Sequence, residues 1–360
     1  MNSRLLMSLV AFSFSAIHAN AQFKPDSTKK TKAVKFAAIP MINYNRTQGV
    51  IVGAIVQGYY KLNKKDTVSP ASSTGVMGFY TAQKTWVAGI GQQVYLNQDK
   101  WRIRGFLFKG NVNYQYFNED ANNNAGQYED YSNDVVMAMA QVQRKVWRRI
   151  YAGLYGEYNN TKTYFNAHGD SLDERNLSNI GYVISNDGRN DVQFPTKGIF
   201  VNFRNQFYRE WTGSDNDFIR YQLNYNQFFD LLKDQRHILV ARINMELATG
   251  NVPFQGQAIV GRDDLRGYSQ GKYRGNQVYA LQSEYRWMFK DSRFGVVGFA
   301  GIASAVDTFS DIFKSELLPG VGAGVRFKLI PSLKINIGVD VGVGKGDYSI
   351  TFRIGEAFAR

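Results

Sequence analysis

The chain contains no cysteine, so disulfide frameworks, thiol chemistry and thiolate metal centres are closed to it. Histidine is almost as scarce. His18, His168 and His237 are the only three in 360 residues, which leaves little for metal binding and implies no cofactor. Proline occurs seven times, a scarcity that suits strands, because each proline removes a ladder donor. Long apolar runs are also missing. The longest, Leu5 to Ile17, falls short of the ~20 residues that a membrane-spanning helix needs. A formal charge of +13 would ordinarily raise nucleic acid as a partner. Here Lys and Arg are scattered along the chain without a recognition motif, so nucleic acid is not expected. A basic lumen, or loops facing anionic lipid headgroups, accounts better for that distribution.

That short apolar run has its own meaning. Arg4 precedes it, and Ala19-Asn20-Ala21 closes it with a small-x-small cleavage signal before Gln22. Residues 1–21 therefore read as a cleaved export signal. Residues 22–35 read as a polar periplasmic lead-in, and 36–360 as one domain.

What the chain has in quantity is aromatic side chains, 22 Tyr and 25 Phe, and 34 glycines. Mean hydropathy is nevertheless −0.35. A chain both aromatic and polar fits a wall in which alternate residues meet lipid or an aromatic girdle while their neighbours meet water. A soluble sandwich or propeller would share that composition, so the decision falls to periodicity. From Leu333 to Gly344 one face reads Leu333, Ile335, Ile337, Val339, Val341, Val343, and the other Lys334, Asn336, Gly338, Asp340, Gly342, Gly344. Val321 to Phe327 and Leu239 to Leu247 alternate in the same way. A charge such as Asp340 among six aliphatics is costly against lipid and mild against water, so the apolar face is expected outside. Runs this long also exceed the ~5–6 residues usual in soluble sheets.

Sixteen such segments are expected, near 36–45, 48–60, 75–83, 86–96, 101–116, 133–146, 149–160, 177–187, 197–209, 217–231, 235–249, 275–289, 293–303, 318–329, 332–344 and 347–358. The fold class is all-β, a transmembrane antiparallel barrel whose last segment closes on the first. With both termini at the inner end, the even-to-odd connections are tight. The odd-to-even ones (117–132, 160–176, 250–274 and 304–317) are long and polar, as outer loops are. The inner connection 61–74 departs from this rule, being long, basic and Ser/Pro-rich, and is expected to move.

The segment 250–275 reads GNVPFQGQAIVGRDDLRGYSQGKYRG. Its Leu265-Arg266-Gly267-Tyr268 resembles the [V/L]RG[F/Y] signature of the BamA/TamA outer-membrane superfamily. Further matches follow in order: Ile39-Pro40-Met41-Ile42 with Tyr44 and Gly49, Asp187-Gly188-Arg189 with Pro195 to Gly198, Gly320-x-Gly-x-Gly-x-Arg326, and the ending Phe352-Arg353-Ile354-Gly355-Glu356-Ala357-Phe358. The resemblance spans about 36–358. It implies that Leu265–Tyr268 folds into the lumen, that Asp187, Arg189, Pro195 and Gly198 form an inner-turn motif, and that Phe352, Ile354 and Phe358 form a terminal assembly signal. An Arg in a partly desolvated lumen needs a carboxylate. Glu284 has lumen parity and is the first choice; Asp340 and Glu246 are the substitutes. The family's F-x-D-x-G aspartate is replaced by Gly301, which would weaken the clamp, and Phe358 is not the last residue. Residues 22–35 are too few for a POTRA domain, so periplasmic capture is expected to be absent or supplied by a separate partner.

Two functions follow. One is a barrel that inserts or moves protein or lipid at the outer membrane; the other is a passive pore or structural barrel. Expected partners are outer-membrane phospholipid and lipopolysaccharide, and the general assembly machinery during biogenesis. An enzyme is not expected. His168, Asp170 and Ser171 sit on one loop with nothing to preorganise a triad. Glu119, Asp120, Glu129 and Asp130 lack Ca²⁺-loop spacing, and the glycines from Gly338 to Gly346 lack the Lys-Ser/Thr of a phosphate loop.

Overall fold

Alternation over long segments leaves each strand one wet and one apolar face, and such a sheet is stable in a membrane only when it closes on itself. The computed structural model describes residues 34–45, 49–118, 127–165, 171–191, 194–261, 264–269, 271–331 and 334–358. The expected export signal and most of the lead-in lie outside the described residues. The first strands are β1 (Val34–Asn45), β2 (Gly49–Tyr60), β3 (Ser72–Thr81) and β4 (Trp86–Leu96). Next come β5 (Trp101–Asn118), β6 (Gln127–Trp147), β7 (Ile150–Phe165) and β8, in two runs, Ser171–Asn176 and Asn179–Asp187. Then follow β9 (Gly198–Tyr208), β10 (Phe218–Asp230), β11 (His237–Gly250) and β12 (Gln277–Met288). The last are β13 (Phe294–Val306), β14 (Leu318–Ile330), β15 (Ile335–Gly344) and β16 (Asp347–Ile354).

Each strand pairs antiparallel with its neighbours in sequence, and β16 returns to β1. The sixteen-stranded barrel is the expected one. Its closure is uneven. β1 pairs with β2 from end to end, Val34↔Tyr60 to Asn45↔Gly49. It meets β16 only at Asn43↔Thr351, Tyr44↔Ile350 and Asn45↔Ser349. Pro40 lies in the stretch of β1 without a seam partner, and a sheet tolerates proline on such an edge.

The parity is as read. Val321, Val325, Val341 and Val343 face outward, whereas Asn336, Arg326 and Asp340 are buried inside. The lumen is divided. Inward side chains of β1 to β7, among them Ile55, Met77, Phe79, Phe108 and Met137, form an apolar core. The opposite wall, β10 to β16, carries most of the buried charges, with Glu157 of β7 outside it.

Four expectations need correction. The described residues of 117–132 and 160–176 are strand rather than loop. β5 and β6 stay paired out to Asn118↔Gln127, and β7 and β8 out to Phe165↔Ser171. Their sequences, QYEDYSND over 127–134 and SLDERN over 171–176, are polar on both parities, so hydrophobic alternation does not mark them as strand. Glu129 and Asp130 are thus ladder residues, opposite Tyr116 and Gln115; Glu119, Asp120, His168 and Asp170 lie outside the described residues. Second, Lys334 is not on the lumen face. It sits in the turn before β15 at φ 53 and pairs with Asp191 at 2.9 Å; Leu333 lies outside the described residues. Third, β16 ends at Ile354, and Gly355 (φ 78) turns the chain inward, so Phe358 is not in the terminal strand.

Fourth, the connection after β2 is tethered. Asp66 accepts from the amides of Val68 (3.0 Å), Ser69 (2.9 Å) and Gln98 (2.9 Å) and from the Ser69 hydroxyl (2.6 Å). Ser69 Oγ in turn accepts the Asp99 amide at 2.7 Å. These donors, the Ser69 hydroxyl foremost, hold the Asp66 carboxyl well below its ordinary value of 3.8. A depressed carboxyl stabilises the fold above its ordinary pKa and loses that contribution as pH falls through the depressed value. Hydrogen-exchange protection across 61–71, taken relative to the intrinsic exchange rate at each pH, should therefore be flat from neutral pH to about 5 and fall only in stronger acid. Asp66→Ala should release the segment already at neutral pH while the barrel amides stay protected.

Candidate functional site

The segment joining β11 to β12 packs its middle against buried side chains of the strands. Phe254–Gly256 makes one 3-10 turn, and Ala258–Ile259 pairs with Arg274–Gly275 as a short stem. Beyond the stem, Leu265 and Tyr268 are buried and pack with Val278, Ala280, Ala303 and Leu318. Between them Gly267 takes φ 107. A Cβ there would lie 2.8 Å from the Val343 carbonyl carbon, so only glycine lets this backbone lie against β15. The Gly267 amide donates to Ser349 Oγ (3.2 Å) and the Ser269 amide to Asp347 (2.7 Å). Tyr268 donates its hydroxyl to Pro319 O (2.6 Å) and accepts the Lys345 amide (2.9 Å). The loop therefore grips the β15–β16 hairpin, whose Ser349 also forms part of the seam with β1.

Arg266 crosses to the wall. Its Nε donates to Gln282 Oε1 at 2.7 Å; its Nη1 donates to Glu284 Oε2 at 2.6 Å and to Asp340 Oδ2 at 2.9 Å. The guanidinium lies 3.5 Å from the Phe299 ring centroid and 5.1 Å from that of Phe358, with π faces adding attraction. The first-choice partner, Glu284, and the substitute Asp340 both bind Arg266, so the pairing is shared rather than bidentate. Glu246 does not join them and takes the Gln222 amide at 3.0 Å.

The absence of aspartate at Gly301 has a steric explanation. A Cβ at Gly301 would lie 3.0 Å from Leu265 Cδ1 and 2.5 Å from Leu281 O. Leu265 fills that space, and Gln282 supplies the acceptor on the neighbouring strand.

Several members of the cluster were not singled out from the sequence. Arg286 donates to Glu284 Oε1 (2.7 Å), Arg353 to Asp340 Oδ2 (3.0 Å), and Arg326 to both Asp340 and Glu356 Oε2 (3.0 Å for the latter). Asn336 completes Glu356 at 2.8 Å. All lie on inward parity or on the inturned tail, the one signal that could have marked them. Arg266, Arg286, Arg326 and Arg353 thus surround Glu284, Asp340 and Glu356, leaving one excess positive charge. Buried ion pairs of this kind are weak sources of net stability, yet removing one partner strands a charge and costs about 3–5 kcal/mol.

The other two motifs close on this cluster from below. Asp187 and Arg189 form a two-pronged pair at 2.8 and 2.9 Å, and Arg189 lies over Phe200. Gly198, at φ 110, lets the turn fold back, because a Cβ there would meet Gly188 O at 2.2 Å. Pro195 O accepts from Arg286 at 3.4 Å. Phe358 is fully buried with Phe228, Ile238 and Val240. Phe352 and Ile354 lie in β16, Phe352 opposite Val339 and Ile354 opposite Ile337. Among the described residues, no group of three or more metal-ligating side chains occurs.

Comparison with known proteins places this geometry. A family model described as the Omp85 superfamily domain matches residues 92–358. The outer membrane protein assembly factor BamA of Nitratidesulfovibrio vulgaris is 27% identical over 172 residues, covering 42% of this chain and 22% of that protein. Similar solved structures include BamA from Haemophilus ducreyi lacking POTRA domains 1–3, at TM-score 0.61 and 14% identity. That match covers 91% of this chain and 70% of the other. CdiB from Escherichia coli is also similar, at TM-score 0.62 and 13% identity, covering 91% and 63%. CdiB from Acinetobacter baumannii has TM-score 0.58 at 12% identity, covering 90% and 60%. At these identities the structural matches speak for the fold.

Glu284→Gln should keep the shape of the site but strand Arg266 and Arg286. The expected cost is about 3 kcal/mol, seen as a lower temperature for loss of the compact band in heat-modifiability gels. Gly301→Asp should cost a similar amount by displacing Leu265. Equal stability of either variant to the parent would show that the cluster does not anchor the loop.

Proposed function

Because the chain belongs to the Omp85 superfamily, we propose that it acts as an outer-membrane barrel that inserts or translocates protein or lipid by opening the seam between β1 and β16. The observation that carries this reading is the combination of a three-residue seam with a loop gripping its last strand. A ladder of three residue pairs is the weakest boundary in the barrel wall, since strand cohesion grows with the pairs formed. Below it, the edge of β1 from Val34 to Ile42 has no partner on the seam side, and an open edge is a template for another strand. The passive-pore reading fits less well, because the loop and the inturned tail both occupy the lumen. Relatives bearing the names assembly factor BamA and CdiB are consistent with this activity. Residues 1–21 act as the export signal in this reading, so the mature protein starts at Gln22.

The absence of cysteine makes the test clean. Asn43→Cys with Thr351→Cys places two thiols directly across the seam. Oxidation should abolish insertion of a small barrel substrate into vesicles while leaving the chain folded, and reduction should restore it. Undiminished insertion by the oxidised pair would overturn seam opening. Intact-mass measurement of the exported protein should give Gln22 at its N-terminus.

A further inference from the structure

We propose that Trp101, Arg144, Trp147 and Arg148, on the outer surface at the inner end of the barrel, bind the headgroup of an anionic phospholipid in the surrounding leaflet. The proposal needs only that the barrel sits in a bilayer, and is independent of seam opening.

The strand pattern puts these residues together. Arg144 follows Val136, Ala138, Ala140 and Val142 on the outward face of β6 and stands directly opposite Trp101 of β5. Its guanidinium lies 5.5 Å from the Trp101 ring centroid. The next turn presents Trp147, 62% exposed, with the Arg148 guanidinium 5.0 Å from its ring. The two turns touch, because the Lys145 amide donates to Lys100 O at 2.8 Å. Above them Leu107, Val142 and Leu154 are exposed aliphatics on the same outward surface.

An arginine on the lipid-facing parity costs about 2–4 kcal/mol at the bilayer midplane and almost nothing at the interface. Its position one step beyond Val142 therefore marks headgroup depth. The tryptophans mark the same depth, since their rings favour the membrane–water boundary. Neither Arg144 nor Arg148 forms an ion pair with a carboxylate among the described residues. The acids near this end are turned away: Asp99 is taken by Arg102 and Tyr151, and Asp187 by Arg189. Two guanidiniums pre-stacked on indole faces, an aliphatic wall above them and no carboxylate paired to either among the described residues match a phosphodiester with two acyl chains.

The test uses the chain in nanodiscs, with Trp86, Trp211 and Trp287 replaced by Phe so that Trp101 and Trp147 report. Phosphatidylglycerol or phosphatidylcholine brominated on the acyl chains is added at equal mole fraction. Brominated phosphatidylglycerol should quench more strongly, and R144Q with R148Q should remove that preference, by roughly fivefold for each Arg lost. R144K with R148K should retain a preference, which guards against a folding artefact. Equal quenching by both lipids in the parent, or a preference surviving the Gln pair, overturns the proposal. So does a protein adduct, formed in intact cells by a photoreactive residue at Val146 and lost in the Gln pair, because it would give the patch to an acidic partner.

Discussion

A guanidinium held inside a membrane barrel must be neutralised where it stands, and that constraint organises the charged half of this lumen. Arg266 meets it through two carboxylates on different strands, Glu284 of β12 and Asp340 of β15. Each carboxylate then serves a further arginine: Arg286 at Glu284, and Arg326 and Arg353 at Asp340. No member can be satisfied alone. The loop, four strands and the chain's tail are therefore bound into one electrostatic unit, which small displacements of any part would unbalance.

The unit bears directly on closure. After Ile354 the chain could continue alongside β1, whose residues 34–42 lack a seam partner, or turn inward. Glu356, held by Arg326 and Asn336, and Phe358, packed with Phe228 and Val240, favour the inward course. The short seam is thus the other side of the buried tail: the residues that would lengthen it are held in the lumen. Ser349 sits at the junction, pairing with Asn45 through its backbone and accepting from Gly267 through its hydroxyl. Loop, seam and tail share residues, so a change of state in one reaches the others through contact rather than distance.

How far this was legible in the sequence depends on which physical rule each feature obeys. Parity is strict in a strand, so the alternation of Val339, Val341 and Val343 with Asp340 in the sequence locates both faces. It likewise puts Glu284 on the lumen side, and the family resemblance, not parity, pairs it with Arg266. Parity gives the face but not the height. Strand tilt and stagger decide which inward residues share a level, and for that reason Gln282, Arg286, Arg326 and Arg353 were not grouped with Arg266. The hairpin extensions of β5 to β8 were illegible for a different reason: polar residues such as Asp130, Ser132, Asp173 and Glu174 occupy both parities, and one face is covered by Phe254 and Gln255 of a distant loop. The inward turn at Gly355 depends on one positive φ followed by contacts from β10, β11, β14 and β15, and reads in the sequence as a simple continuation of β16. The tether of 61–71 rests on one side chain, Asp66, accepting from four donors, which composition reads as a loose, polar loop.

The departure at Gly301 shows how a motif can lose a residue and keep its physics. The family pattern calls for an aspartate on β13, facing the loop arginine. Here the volume beside Gly301 belongs to Leu265, whose burial against Ala280, Ala303 and Leu318 adds apolar anchoring in its place. The negative charge comes from Asp340, two strands away, and the remaining acceptor from Gln282. An aspartate at 301 would bring a fourth carboxylate and balance the four arginines, but only by evicting Leu265. The chain instead keeps a better-packed loop root and one uncompensated positive charge, which the flanking rings of Phe299 and Phe358 partly offset. The clamp is therefore defined by an arginine with acceptors at its own height in the lumen, whichever strands supply them.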